Sequence, residues 1–216
     1  MAPLSSTISN FISNIGQGVK PNMFQVEINF PQSGVLSGGN QLKTVDTTEI
    51  GTVNLLCKAA ALPASNTGVI EVPFRGRTVK IAGDRTFDTW TPTFINDKDF
   101  VIRSVFESWS EAINGHAGNT ASLFTPDNAT GYTADILVHQ LEKNSDTAAP
   151  SILRTYKLWY AFPTNVAQID LAYDSNDQIE EFSVEFQYSY WTTIAPAGNT
   201  RKGLSTRQIN SDATTK

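Results

Sequence analysis

Cysteine and histidine are nearly absent from this chain of 216 residues, which holds only Cys57, His116 and His139. A single thiol rules out an internal disulfide and fits a reducing compartment or a protein that needs no staples. Cys57 sits in the apolar run NLLCKAAAL, where a buried, inert thiol is expected. Two imidazoles and one thiol are too few for a His-rich or thiolate metal centre. Charged residues make up only 17% of the chain, and neutral polar side chains take their place. No run approaches the ~18 apolar residues that span a bilayer. The N-terminus, MAPLSSTISNFISNIG, has neither a basic segment nor a continuous apolar core, so it does not read as a secretory signal. Catalytic signatures are missing as well. There is no G-x-S-x-G elbow. The glycines of SGVLSGG run into Asn-Gln-Leu-Lys rather than a phosphate-binding Lys-Ser/Thr. DSNDQIEE lacks the EF-hand spacing. A pair of carboxylates remains available, as in any acidic β protein.

The net charge of −5 is uneven. Residues 201–216 carry Arg201, Lys202, Arg207 and Lys216 against Asp212 alone, which leaves 12 basic and 20 acidic residues, a balance of −8, in the body. A body of that sign repels nucleic acid.

Periodicity then outlines the elements. Ile8, Phe11, Ile12 and Ile15 form a short helical stripe that Ser5 or Ser6 could cap and Gly16 and Gly18 could end. Phe24, Val26, Ile28 and Phe30 alternate with polar residues as a half-buried strand. A polar segment, 31–52, separates it from an apolar run over 53–62, and the two strands are expected to pair as a hairpin with a long arm between them. Short strands follow over 68–74 and 78–82 around Arg75-Gly76-Arg77, then another over 85–95, which Pro92 confines to an edge or a bulge. Residues 97–114 predict a helix with one apolar stripe: Ile102, Val105, Phe106, Trp109 and Ile113. Asn96 or Asp97 would cap it and Asp99 would favour its dipole from the first turn. Strands are predicted over 132–141 and 153–162, the second broken by Pro163. Ala167, Ile169, Leu171 and Tyr173 alternate, Asp174 to Asp177 form a turn, and a long strand runs over 178–191. That strand puts Phe182, Val184, Phe186, Tyr188 and Tyr190 on one side. On the other stand Glu181, Ser183, Glu185, Gln187 and Ser189. The pattern divides the chain into an N-terminal arm with a short helix (1–20), one mainly-β domain (21–191) and a polar C-terminal tail (192–216). The fold class is a β-sandwich or small barrel with one flanking α-helix.

One stretch, VKIAGDRTFDTW (79–90), crowds Asp84, Arg85 and Asp88 between Gly83 and Trp90. Read alone, it is a turn in which Asp84 bonds backbone donors and Arg85 pairs with a carboxylate, a polar anchor between strands.

The same stretch carries a resemblance. PNMFQVEINF (21–30), CKAAALP (57–63), RTVKIAGDRTFDTWTPTFIND (77–97) and FPTNVAQIDLAYDSNDQIEEFSVEFQYSYW (162–191) resemble, in that order, the tail tube proteins of contractile-tailed bacteriophages. The 31–52 arm, the 115–132 loop and the tail after Trp191 depart from the compact family pattern. The resemblance implies a structural subunit with no enzymatic activity and no cofactor. It implies hexameric rings, strands of neighbouring subunits joined into one ring barrel, and a stacked hollow tube inside a contractile sheath through which genome DNA passes. The implied partners are further copies of the chain, the tail sheath protein, and the baseplate and tail terminator proteins, with no membrane insertion. The implied location is the virion, after assembly in the host cytoplasm. Within that picture Asp84, Arg85, Asp88 and Trp90 are turn or interface anchors. Glu181, Glu185 and Gln187 are candidate lumen-lining residues, or else simply a solvated outer face. Leu36, Lys43, Asp46 and Glu49 are candidates for a ring-stacking arm, and Arg103, Glu107 and Glu111 for a sheath-facing helix surface. Alternatives of the same lineage are a baseplate tube-initiator or a secretion-system tube protein. From another class, a carboxylate enzyme or a glycan-binding β domain competes.

Overall fold

The computed structural model describes residues 8–31 except 17, residue 51, residues 53–121, residue 126, residues 131–143, and residues 151–194 except 175. Its centre is a curled sheet of seven strands: β1 (Phe24–Asn29), β2 (Cys57–Ala59), β5 (Thr93–Ile95), β6 (Ala134–Leu141), β7 (Ile152–Val166), β8 (Glu181–Gln187) and β9 (Tyr190–Ile194). The order is β1-β6-β7-β8-β5-β2, with β9 also on β7. Two further strands, β3 (Asn66–Phe74) and β4 (Arg77–Thr86), form a separate hairpin. Helix α1 (Ile8–Ile15) precedes β1, and α2 (Val101–Ile113) lies on the sheet. The expected class, mainly β with a flanking helix, is the one observed.

Apolar residues at helical spacing make α2 the lid of the core. Ile102, Val105, Phe106 and Trp109 are all fully buried. Phe106 is the hub: its ring lies 5.0 Å from Phe94 of β5, 5.9 Å from Phe30 just past β1, and 6.3 and 6.0 Å from Phe182 and Phe186 of β8. Edge-on and tilted ring pairs of this kind add to the burial of their area. Trp109 rests on Phe30 and Phe186 and donates its indole N–H to the Tyr132 carbonyl at 2.7 Å. The helix begins later than its periodicity suggests. Phe100 adopts φ 54°, which stops helix on its N-terminal side, and the Asp97 carboxylate accepts the N–H groups of Val101 and Ile102. Asp97 therefore caps the helix from four residues upstream, while Asp99 stands before the first turn rather than in it.

Several expectations about strands are corrected. Residues 53–62 do not pair with β1. They open in a helical turn with Val53 fully buried, and only Cys57–Ala59 form a strand, paired with β5. β1 instead takes the long register of β6, matching Val26 to Val138 and Ile28 to Ile136, and Asn54 Oδ1 accepts the Ile28 N–H on its other side. Residues 85–95 are not one strand. β4 ends at Thr86, and Trp90 forms a lone bridge with Phe186 before β5, so Pro92, which has no N–H, serves only as an acceptor for Val184. Residues 167–173 alternate but form no strand, because both edges of β8 are already taken by β7 and β5. Pro163 does not end β7. At Tyr160, held at φ 55°, the strand kinks, and beyond it β7 moves from β9 to β8 through a register shift at Pro163. The same kink divides the predicted 178–191 strand into β8 and β9. Parity is lost at the break, so Tyr188 is buried and Tyr190 is 40% exposed.

Cys57 packs against the core, and burial pushes its thiol up to about 12. The thiol therefore stays protonated through pH 7–9, and alkylation of the folded protein at pH 8 should be far slower than of the urea-unfolded chain, as read by mass spectrometry. Phe106→Ala should lose about 3–5 kcal/mol of stability in urea denaturation, since it empties the centre of the aromatic cluster.

Candidate assembly surface

The functional candidate is the β3–β4 hairpin and its root. Phe74-Arg75-Gly76-Arg77 is a two-residue turn with φ of 45° at Arg75 and 79° at Gly76. Positive φ at both central positions is the twist-matched hairpin geometry, which glycine accommodates without strain. The pairing sets Ile70 opposite Ile81 and Val72 opposite Val79, with Phe74 opposite Arg77. One face is thus almost wholly apolar. The other carries Val69 with Ala82, Pro73 with Thr78, and Glu71 with Lys80, the last joined by an ion pair at 3.5 Å. The apolar face is not covered: Ile70, Val72, Phe74, Val79 and Ile81 are 42–62% exposed. An isolated two-stranded sheet with a bare apolar face is at best marginally stable in water, and its unpaired outer edges invite another strand.

The root, in contrast, is fastened. Gly68 and Gly83 approach so closely that a Cβ on Gly83 would meet the Gly68 backbone at 3.3 Å, next to the register shift between Thr67 and Val69. Trp90 is buried, packs at a tilt on Phe186 with ring centroids 5.7 Å apart, and donates its indole N–H to the Ala61 carbonyl at 2.7 Å. Trp191 donates to the Ala64 carbonyl at 2.9 Å. Asp88 accepts a hydrogen bond from Asn66 Nδ2, and Gln187 donates to Thr89 Oγ1 at 3.0 Å. These ties pin residues 61–66 and 88–90, the two legs of the hairpin.

The predicted site residues separate accordingly. Asp88 and Trp90 belong to the root. Asp84 and Arg85 lie within β4, exposed, and among the described residues neither joins a salt bridge, so the expected turn with a paired arginine is not formed. The strand register puts Thr67 opposite Arg85, which leaves no turn there. Glu181, Glu185 and Gln187 share the face of β8 that points away from the core; Glu181 pairs with Lys58 and Gln187 with Thr89. The neighbouring strands add to that face an ion pair between Asp135 and Lys157 at 2.7 Å and the buried pair His139 Nδ1 with Thr155 Oγ1 at 2.8 Å. Arg103 does not project into solvent: it donates to the Ala167 carbonyl and to Glu107 and lies over the Phe182 ring at 5.5 Å. Glu107 is exposed, and Glu111 faces His116. Leu36, Lys43, Asp46 and Glu49 lie outside the described residues.

The hairpin lies inside the segment 19–194 that matches the family model "Phage tail tube protein". The chain belongs to the phage tail tube protein family. The tail tube protein gp19 of Enterobacteria phage T4 is 34% identical over 176 residues, spanning 82% of this chain and 92% of that protein. A tail tube protein of Serratia phage KSP90 is 27% identical over 186 residues, 85% and 94% of the two chains. The fold is shared with a solved chain of the sheath/tube terminator of an extracellular contractile injection system, at TM-score 0.53 and 14% identity over 82% of this chain and 97% of that one. This tail tube protein is a structural subunit of a phage tail and a component of the virion. The sequence names Trp90 as an anchor within AGDRTFDTW, but the indole bonds to Ala61 and Ala64 are not legible there, since they join segments far apart in the chain.

Trp90→Phe keeps the ring and removes the donor, stranding the Ala61 carbonyl. It should cost about 1–3 kcal/mol and speed hydrogen exchange in residues 61–66 more than in α2, as read by mass spectrometry.

Proposed function

We propose that copies of this chain close into hexameric rings, each hairpin completing its sheet against a neighbour, and that the rings stack into a hollow tube. The bare apolar face and free edges of β3–β4 carry this reading. Each of the five apolar side chains is about half exposed, so covering it gains on the order of 1 kcal/mol. The ring number and the stacking rest on the family resemblance. A head-to-tail interface repeated by a closing rotation satisfies every such edge at once. The same reading makes the tube a conduit for DNA within a contractile sheath, meeting terminator and baseplate proteins at its ends, and doing no chemistry.

The face of β8 bearing Glu181, Glu185 and Gln187 is our candidate for the lumen wall. It points away from the core, and its carboxylates would repel phosphates rather than hold them, which suits passage. The 31–52 arm remains our candidate for stacking, and the exposed Glu107 for the sheath-facing side. Among the described residues no helix is long and apolar enough to cross a membrane.

Purified protein should form rings or tubes of uniform bore under the electron microscope. Val72→Ser with Val79→Ser should give single particles in sedimentation velocity while retaining the circular dichroism of the sheet. Wild-type protein that stays as single particles at every concentration would overturn the assembly reading.

A further inference from the structure

A second apolar surface in the chain is as bare as the hairpin's. In α1, Ile8, Phe11, Ile12 and Ile15 lie on one stripe and are 53–79% exposed, and the helix buries no residue. An eight-residue helix is marginal without a surface to lie on. Gly16, at φ 56°, and Gly18, at φ 64°, close it through bonds from their N–H groups to the Ile12 and Ile15 carbonyls, so the helix ends as a built element. It lies before residue 19, where the family match begins, and nothing in that match accounts for it.

The two bare surfaces fit each other. The α1 stripe spans seven residue rises, about 10 Å. The apolar face of the hairpin runs from Ile70 to Phe74, about 14 Å, and is two strands, about 5 Å, wide. Charge touches only the turn end of the hairpin face, where Arg77 stands opposite Phe74 and the Arg75 guanidinium lies 5.4 Å from the Phe74 ring centroid, and ISNFISNI holds no ionisable side chain. The contact they can make is apolar and undirected by charge. Within one copy they do not meet, since both remain exposed.

We propose that α1 of one subunit docks on the Ile70–Val72–Phe74–Val79–Ile81 face of a neighbouring subunit's hairpin. This rests on the assembly reading above. The contact joins two different surfaces, helix to hairpin, so each subunit of a ring or stack can give its helix to one neighbour and receive one from another. The exposed Leu171 and Tyr173 are also apolar, but they stand on an irregular loop with no straight face to match a sheet.

The test uses full-length chains in a Cys57→Ala background, or with native Cys57 and unsubstituted chain as control should that background fail to form tubes. One chain carries Phe11→Cys and the other, enlarged by a tag, carries Val72→Cys. They are mixed, assembled and treated with a short bis-maleimide. The expected result is a cross-linked heterodimer in the mixture, absent from either chain alone and lost on dilution to single particles. Tubes that form in the mixture without that heterodimer overturn the docking while leaving assembly intact. Self-cross-linking of Phe11→Cys alone overturns it in favour of helix pairing. A chain carrying both substitutions that closes on itself within single particles overturns it in favour of an internal lid. If no tubes form from unsubstituted protein, both the docking and the assembly reading fall.

Discussion

The seating of Phe106 and Trp109 against rings from β5, β8 and Phe30 just past the end of β1 is the interaction on which the rest of the structure depends. These strands come from residues 24–29, 93–95 and 181–187, so no local segment could hold them together. A helix whose buried stripe is aromatic gathers them around one point, and the sheet curls over it. The curl has a consequence: the covered face spends the apolar side chains of β1, β6 and β8, and the reverse face is left polar, with Glu27, Asp135, Lys157 and Glu185 upon it. A sheet with one dry and one wet face follows from strict alternation along each strand. The hairpin is the exception, since among the described residues nothing covers its dry side.

Much of this was legible in the sequence where the signal is local. The stripe of α2, the alternation of β1 and the Arg75-Gly76 turn each depend on neighbours within a few residues, and each is found where the pattern puts it. The errors fall where partners are distant. Whether residues 53–62 join β1 or β5, or whether 167–173 find an edge, is decided by which edges other strands have already occupied. Alternation alone does not carry that information. The kink at Tyr160 was invisible for a related reason: a tyrosine at positive φ is sterically disfavoured, and only the competing demands of β8 and β9 on the two halves of β7 impose it. The acidic stretch at 84–88 illustrates the same limit. Its composition resembles a reactive cluster, yet its two halves have different fates, Asp84 and Arg85 in an exposed strand and Asp88 in the root.

Electrostatics has a modest part in holding the chain together. The pairs Lys58–Glu181 and Lys80–Glu71 are largely exposed, where such pairs contribute ~1 kcal/mol or less. Asp135–Lys157 is more enclosed, and the Lys157 ammonium also sits 3.5 Å over the Trp159 ring, which in turn stacks on Tyr190. This patch joins β6, β7 and β9 on the face away from α2, so the seam where β7 changes partners is fastened on both sides of the sheet.

The two indole bonds at the root give the hairpin a mechanical character. Trp90 and Trp191 are members of the sheet's own packing, and each holds one carbonyl of the leg that leads into β3. A pull on the hairpin tip is therefore delivered into the aromatic interior rather than absorbed by a slack connection. The projecting element behaves as a lever on a stiff mount, and displacement at its tip reaches β8 with little give.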